Sequence, residues 1–435
     1  MGKKMKGSYG KFITIWAGQM ISGLGNGMTA FALGVYVYRQ THTATGFAMV
    51  VLCAFLPSIL LKPFGGVWAD RFDRRTMIII GDLGSAAGVL YILAVMLTGT
   101  LSPLHIYIGV TISSLFVALQ NPAYKALITD LLTEDQYSRA SGMVQLSSSA
   151  QHLLSPFLAG LLLSLGSITT IMIIDISSFM VAVITVAGVR TGFRRAAGSQ
   201  PQNLVRELRE GWQTVSSNAG VVLVIVLISL VTFFVGFLQT LFGPMVLSFA
   251  DAKTLGFSQA VSATGMLVSS IIVGTVTLER RHARMLVAGL AMAGVCLSLM
   301  GMSTNIFFIT GAFFMFFFAL PLINTGADVL VRKNIPNQSQ GRAWGIIGVL
   351  TQLGFVCAYM VSGYLADHVF NPLLANGGAL THSVGRIIGT GPGRGIGFML
   401  VISGACVAGV AVIAAGMRQL HMLDTAPVSS LQEKE

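Results

Sequence analysis

The sequence predicts an all-α membrane protein, with twelve transmembrane helices forming two six-helix pseudo-symmetric bundles. Three observations predict it. Of 435 residues, 54% are hydrophobic and only 10% are charged, whereas an average soluble domain has about 25% charged residues. Neither a soluble globule of this size nor a disordered chain has that balance. Roughly twelve apolar stretches reach the length of about 20 residues that a helix needs to cross a bilayer. Finally, the two halves of the chain repeat at a single offset.

In order, the predicted spans are 11–38, 45–69, 76–98, 103–129, 138–165, 167–190, 219–249, 257–278, 285–303, 305–331, 342–367 and 395–417. A transmembrane barrel is excluded, because its strands read as short segments of alternating hydrophobicity. Lysine and arginine set the orientation. One side of the membrane receives the basic clusters Lys3 to Lys11, Arg71 to Arg75, Arg190 to Arg209, Arg280 to Arg284, Arg332 with Lys333, and Arg418. The other receives Arg39, Lys253, Arg386 and Arg394. An even helix number places both termini on the basic side. The expectation is a multi-pass protein of a cell membrane, read as a bacterial plasma membrane, with both termini cytoplasmic. The net charge of +11 is then positive-inside bias spread over short loops. It is not a nucleic-acid footprint, and no nucleic-acid partner is expected.

The first apolar stretch is too long for a cleavable signal peptide and leads into further spans. Cys53, Cys296, Cys357 and Cys406 each lie alone in an apolar run. They give no metal spacing and no disulfide framework. A phosphate-binding glycine loop of the Walker type is missing as well. Neither a metal nor a cofactor is expected.

The polar segment 190–218 carries Arg190, Arg194, Arg195, Pro201, Arg206, Glu207, Arg209 and Glu210. It reads as a cytoplasmic linker with an amphipathic helix around Leu204 to Val215. The division is 1–190 for the first bundle, 191–218 for the linker, 219–417 for the second bundle and 418–435 for a cytoplasmic tail. A shift of 203 positions lays Asn121 on Asn324, Arg139 on Arg342, Ala140 on Ala343, Gly142 on Gly345 and Gly160 on Gly363. The same shift lays Lys125 on Asp328. Two parallel six-helix repeats are a transporter design, with the substrate held between the halves near the midplane.

Between the second and third spans lies Gly66-Val67-Trp68-Ala69-Asp70-Arg71-Phe72-Asp73-Arg74-Arg75. This resembles the loop signature of the major facilitator superfamily, and it sits where that family has it. Trp68 and Asp73 stand where leucine and glycine are usual. Gly66 permits close helix approach, and Asp70 suits the positive end of a neighbouring helix. Arg74 can pair with Asp130. With Arg71, Arg75 and Asp82, these residues are expected to form a conformational latch; a purely topogenic basic loop is the alternative. The corresponding loop of the second half, Gly274 to Arg284, has Leu278 in place of the aspartate. In the fifth span, Gly142 and Ser155-Pro156-Phe157-Leu158-Ala159-Gly160 partly resemble the glycine-proline motif of drug–proton antiporters, although Gln151 replaces one of its glycines.

Over nearly its whole length the chain is similar to the macrolide-efflux-like branch of that superfamily. The residues that carry this are Trp16-Ala17-Gly18-Gln19, Phe31 to Val35, Asn121-Pro122-Ala123, and the glycine-rich run from Asn371 to Gly395. The resemblance implies the major facilitator fold and a monomeric secondary transporter. Its partners would be a small amphipathic organic substrate, protons and membrane lipids.

An ionisable group inside a span is costly and marks function. Asp175, in Ile173-Ile174-Asp175-Ile176, reads as the proton-coupling candidate or as a structural brace of its helix. His152 is a second titratable candidate; it also reads as a packing residue. The resemblance places the helices of Lys125 and Asp328 on the cavity. The two are gate candidates as an ion pair, or else each snorkels to the interface. Candidates for the substrate cavity are Gln19, Asn26, Gln145, Gln151, Phe233, Phe237, Gln239, Phe314, Asn324 and Gln352. A few polar groups on apolar, aromatic walls suit an amphipathic molecule. The expectation is proton-coupled export of drug-like or natural-product molecules. Siderophore export and lysolipid or solute transport remain open. A membrane enzyme would need a catalytic cluster near one interface, and none is visible. A sensor would need an added soluble domain.

Overall fold

The computed structural model describes residues 2–189, 212–213, 215–275, 282–335, 340–375 and 377–425. Twelve long helices run through them: α1 (Gly2–Thr41), α2 (Ala44–Arg71), α3 (Arg74–Leu97), α4 (Pro103–Leu131), α5 (Glu134–Leu165), α6 (Ile168–Gly188), α7 (Ala219–Leu247), α8 (Ala252–Thr275), α9 (His282–Met302), α10 (Ile306–Asn334), α11 (Gln340–Leu365) and α12 (Arg394–Gly416). A short tail helix, α13 (Arg418–Thr425), follows. Among the described residues, eleven helices are long and apolar enough to cross a membrane. The exception is α5, at 32 residues among the longest. Gln145, Ser147, Ser148, Ser149, Gln151 and His152 keep its first half polar.

Hydropathy located the apolar middle of each helix, and the caps locate its ends. α1, α5 and α8 begin earlier than the apolar runs, at Gly2, Glu134 and Ala252, α5 with a capping box at Thr133. Asp73 caps α3: its carboxylate accepts from the Thr76 backbone N–H at 3.2 Å and the Thr76 hydroxyl at 2.7 Å. The aspartate that departs from the usual loop pattern thus satisfies the free N–H groups of a helix start. Asn218 and Asn305 do the same for α7 and α10. Most of the expected linker, including its amphipathic helix, lies outside the described residues, as do 276–281 of the second basic loop.

The chain divides into two compact units: Met1–Ser199 with Ala250–Ala260, and Gln200–Phe249 with Val261–Glu435. In the first, α1 packs against α5 and α6, α3 against α4 and α6, and α2 against α4. The start of α8 groups with this unit because of glycine contacts. A Cβ on Gly160 would lie 2.6 Å from the Ala252 carbonyl oxygen and 3.3 Å from the Gly256 Cα. In the second unit, α9 packs against α10 and α12, and α7 against α11. Gly294 and Gly301 on α9 face Gly404 and Gly397 on α12 so closely that a Cβ at Gly294 would fall 2.8 Å from the Gly404 carbonyl. Without a hydrophobic drive between helices in lipid, such small-residue contacts hold them together.

The stretch after α11 is ordered as well. It continues through a π-turn (Ala366–Phe370) and two short helical turns (Asn371–Leu374 and Gly385–Ile388). Gly377, Gly389, Gly391 and Gly393 adopt positive φ, which explains the glycine-rich composition. Arg394 is buried and donates to the carbonyls of Gly301 (2.6 Å) and Ser303 (3.1 Å) at the end of α9. A cation there meets the negative end of that helix.

Candidate functional site

At the basic end of the first unit, the loop between α2 and α3 is fixed by two arginines. Arg74 pairs with Asp130 at 2.7 Å and donates to the Ala126 carbonyl at 2.8 Å, both near the end of α4. Arg75 donates to the Val186 carbonyl at 3.0 Å and to that of Ala187. These are carbonyls of the last turn of α6, where backbone partners run out; that of Val186 also accepts from the Val189 N–H at 3.3 Å. The loop therefore ties α3 to α4 and α6. The side chains of Asp70 and Arg71 lie outside the described ones.

About two turns further along α3, Asp82 is fully buried. Gln19 of α1 donates to one carboxyl oxygen at 2.9 Å, and Gln120 of α4 to the other at 2.6 Å. Gln120 also donates to the Gln19 side-chain oxygen at 2.6 Å. A buried acid needs such partners. Asp82, expected in the latch, is held in a polar cluster of three helices, and Gln19, expected on the cavity, is turned onto it.

Asp175 of α6 is also fully buried. Its Oδ1 lies 3.5 Å from the Ser178 hydroxyl, and Oδ2 has no hydrogen-bond partner among the described residues. Gly25 of α1 allows the approach: a Cβ there would fall 2.8 Å from Oδ1 and 3.1 Å from the Asp175 Cα. No cation pairs with Asp175 among the described residues. His152 stands apart, on an exposed stretch of α5.

Helix α5 is fastened to α1. Ser155 donates to the Leu24 carbonyl at 2.9 Å, and Trp16 to the Met143 carbonyl at 2.8 Å. Gln151 lies over Gly23 and Gly27, so the residue replacing an expected glycine fills the space two other glycines leave. Gly142 is open, with nothing near a Cβ, whereas Gly160 and Pro156 meet the start of α8. Gln145 is exposed. Asn26 lines a cavity inside the bundle.

In the second unit, Phe233, Phe234 and Phe237 form a cluster with ring centroids 4.6–6.2 Å apart. Phe237 is buried and Phe233 half-buried. Phe242 of α7 packs on Phe313 of α10 at 4.1 Å, and the Phe314 backbone lies against Gly265 of α8. The Tyr359 hydroxyl donates to Gln239. The Gln352 side-chain oxygen is buried and unpartnered among the described residues. Asn324 is exposed. Lys125 is exposed on α4 in one unit, and Asp328 half-buried on α10 in the other.

The profile of the Major Facilitator Superfamily matches residues 15–358. The chain belongs to the major facilitator superfamily. Macrolide efflux protein A of Streptococcus pyogenes is 27% identical to it over 82% of this chain and 90% of that protein. Macrolide efflux protein A of Enterococcus faecalis is 27% identical over 71% of this chain and 98% of that protein. Among solved structures, the nucleoside transporter NupG superposes with a TM-score of 0.75 at 10% identity, covering 93% of this chain and 99% of that one. The expected all-α membrane protein of the major facilitator fold is thus borne out, with eleven helices long and apolar enough to cross a membrane among the described residues, and the protein is a multi-pass membrane transporter acting on a small molecule.

For this superfamily member, the sequence pointed to Asp175, to Arg74 with Asp130, and to Asn26. It missed Gln120, Thr29 and Ser178, which surround the two buried acids. A glutamine or hydroxyl in an apolar run carries no sign of its partner. The only signal available was that each buried carboxyl requires donors from helices packed beside it.

Proposed function

We propose that this chain exports amphipathic natural-product or drug-like molecules by alternating access, driven by protons, with macrolides the first class to test. The observation that carries this reading is its similarity to macrolide efflux protein A along 82% of this chain. The proton is assigned to Asp175, a sealed acid without a cationic partner among the described residues. Export against a concentration gradient needs an energy source, and this sequence has no Walker-type nucleotide-binding loop to supply it.

In this reading both termini are cytoplasmic, α5 is the twelfth span, and 1–190 and 219–417 are the moving bundles. Arg74, Arg75 and Asp130 hold the cytoplasmic latch, joined by Gly66, Asp70 and Arg71. Lys125 and Asp328 gate the inner side. Gln145, Asn324, Phe314 and Gln352 contribute cargo contacts, and Pro156 with Gly160 forms a close-packed outer hinge.

The test is reconstitution in vesicles with an imposed pH gradient, followed by a screen of macrolides, dyes, siderophores and lysolipids. Gradient-dependent movement of a macrolide, collapsed by a protonophore, is the expected result. Movement that ignores the gradient overturns the proton coupling. A siderophore or lysolipid moving in place of macrolides overturns the cargo class.

A further inference from the structure

Helices α1 to α4 line a partly open cavity of about 90 Å³ within the first unit. Its walls are largely apolar, but Asn26, Thr29, Ser113 and Ser114 put polar groups on it. Ser114 donates its hydroxyl to the Cys53 and Thr111 carbonyls at 2.9 and 3.0 Å, so its oxygen remains free to accept. Thr29 is only 3% exposed and its hydroxyl has no hydrogen-bond partner among the described residues. It is the α1 hydroxyl turned toward Asp175. Thr29 therefore lies between the cavity, which it lines, and the Asp175 carboxyl.

Two buried polar atoms unsatisfied by protein, beside a cavity with further polar groups, are the conditions under which internal water is held. At roughly 30 Å³ per molecule, the space accommodates about three waters. We infer that this cavity is a water chamber inside the first bundle that exchanges protons with Asp175 by way of Thr29. When the carboxylate is empty, a protonated chamber water gives its extra proton to the Thr29 hydroxyl oxygen as that hydroxyl passes its own proton to the carboxylate, leaving neutral water and an intact hydroxyl; when Asp175 is loaded, the transfer runs in reverse and the proton leaves through the chamber waters. The inference rests on Asp175 being the coupling acid and adds its route. The helices packed on α6 carry few competing groups. Between Lys11 and Arg39, α1 has no charged residue; α3 beyond Arg75 has only Asp82; α5 beyond Arg139 has only His152. Asp82 is engaged by Gln19 and Gln120.

The experiment is hydrogen–deuterium exchange at the Asp175 carboxyl in the full-length reconstituted protein. It is read from the infrared carbonyl stretch after subtraction of Asp175→Asn. Thr29→Val removes the hydroxyl at nearly constant shape, and Val110→Phe fills the chamber. Each is expected to slow exchange about tenfold or more, the weight of one water-mediated hydrogen bond. Wild-type exchange rates in Thr29→Val, or in a Val110→Phe protein with normal thermal unfolding, overturn the chamber. If Val110→Phe does not fold, Thr29→Val decides alone. Should wild-type export prove independent of the proton gradient, the coupling role of Asp175 falls, and the exchange rates still decide whether the chamber feeds it.

Discussion

Asp82 and Asp175 are both fully buried, yet their surroundings differ. Both oxygens of Asp82 receive amide donors from two other helices, and the role proposed for it is a brace. Asp175 has one oxygen near Ser178 and one without a partner among the described residues, and the role proposed for it is proton exchange. Asp175→Asn is expected to abolish accumulation driven by a pH gradient and to retain gradient-free exchange of cargo across the vesicle membrane. Loss of both activities would make Asp175 a structural residue. Asp82→Asn places an amide donor against the Gln19 or Gln120 donor. Its expected effect is a destabilisation of about 1–3 kcal/mol, read as a lower unfolding midpoint, with little change in transport per folded molecule. Asp175 was legible because a lone acid in an apolar run is conspicuous. The distinction between brace and exchanger was not, because it depends on residues 101 positions apart that only packing brings together.

At the scale of elements, polar ends decide what hydropathy leaves open. Asp73 starts α3 and sets the register in which Arg74 reaches α4 and Arg75 reaches α6. Asp73→Ala should cost about 1 kcal/mol and Asp73→Gly only a few tenths, as measured by unfolding of the detergent-solubilised protein. The same logic applies to α13. Its Asp424 accepts from the backbone N–H groups of His282 (3.2 Å) and Ala283 (2.9 Å) and pairs with the His282 ring at 3.3 Å. An anion at the start of α9 complements the helix dipole. Leu420 and Leu423 are buried, and the Asn334 amide donates to the Leu423 carbonyl at 3.1 Å. The part of the expected tail that forms α13 is thus docked on α7, α9 and α10. Asp424→Ala should release it, seen as faster amide hydrogen exchange across 418–425; unchanged exchange would place the anchoring in the leucines alone. Eleven of the long helices were legible as apolar runs. The docked tail was not, because an eight-residue amphipathic segment gains its stability only from the surface it meets.

For the whole molecule, the repeat at 203 positions makes a claim about mechanism as well as ancestry. Most of the matching positions are identical, and one pair, Lys125 and Asp328, is opposite in charge. A cation on α4 and an acid at the equivalent place on α10 would meet if the two repeats close symmetrically at their inner ends. Each also has a local alternative: Lys125 is exposed on its helix, and Asp328 has Arg332 one turn away on α10. A charge-swap cycle separates these. Lys125→Asp and Asp328→Lys should each slow cargo turnover by placing like charges together, and the double variant should recover most of the lost rate. The quantity to measure is the coupling energy from initial rates of gradient-driven transport in the four proteins. A pair that meets during the cycle gives a coupling of about 0.5 kcal/mol or more. Additive losses would mean that the two charges act separately, with Asp328 serving Arg332. Recovery in the double variant would show that the symmetry legible in the sequence is used when the transporter closes.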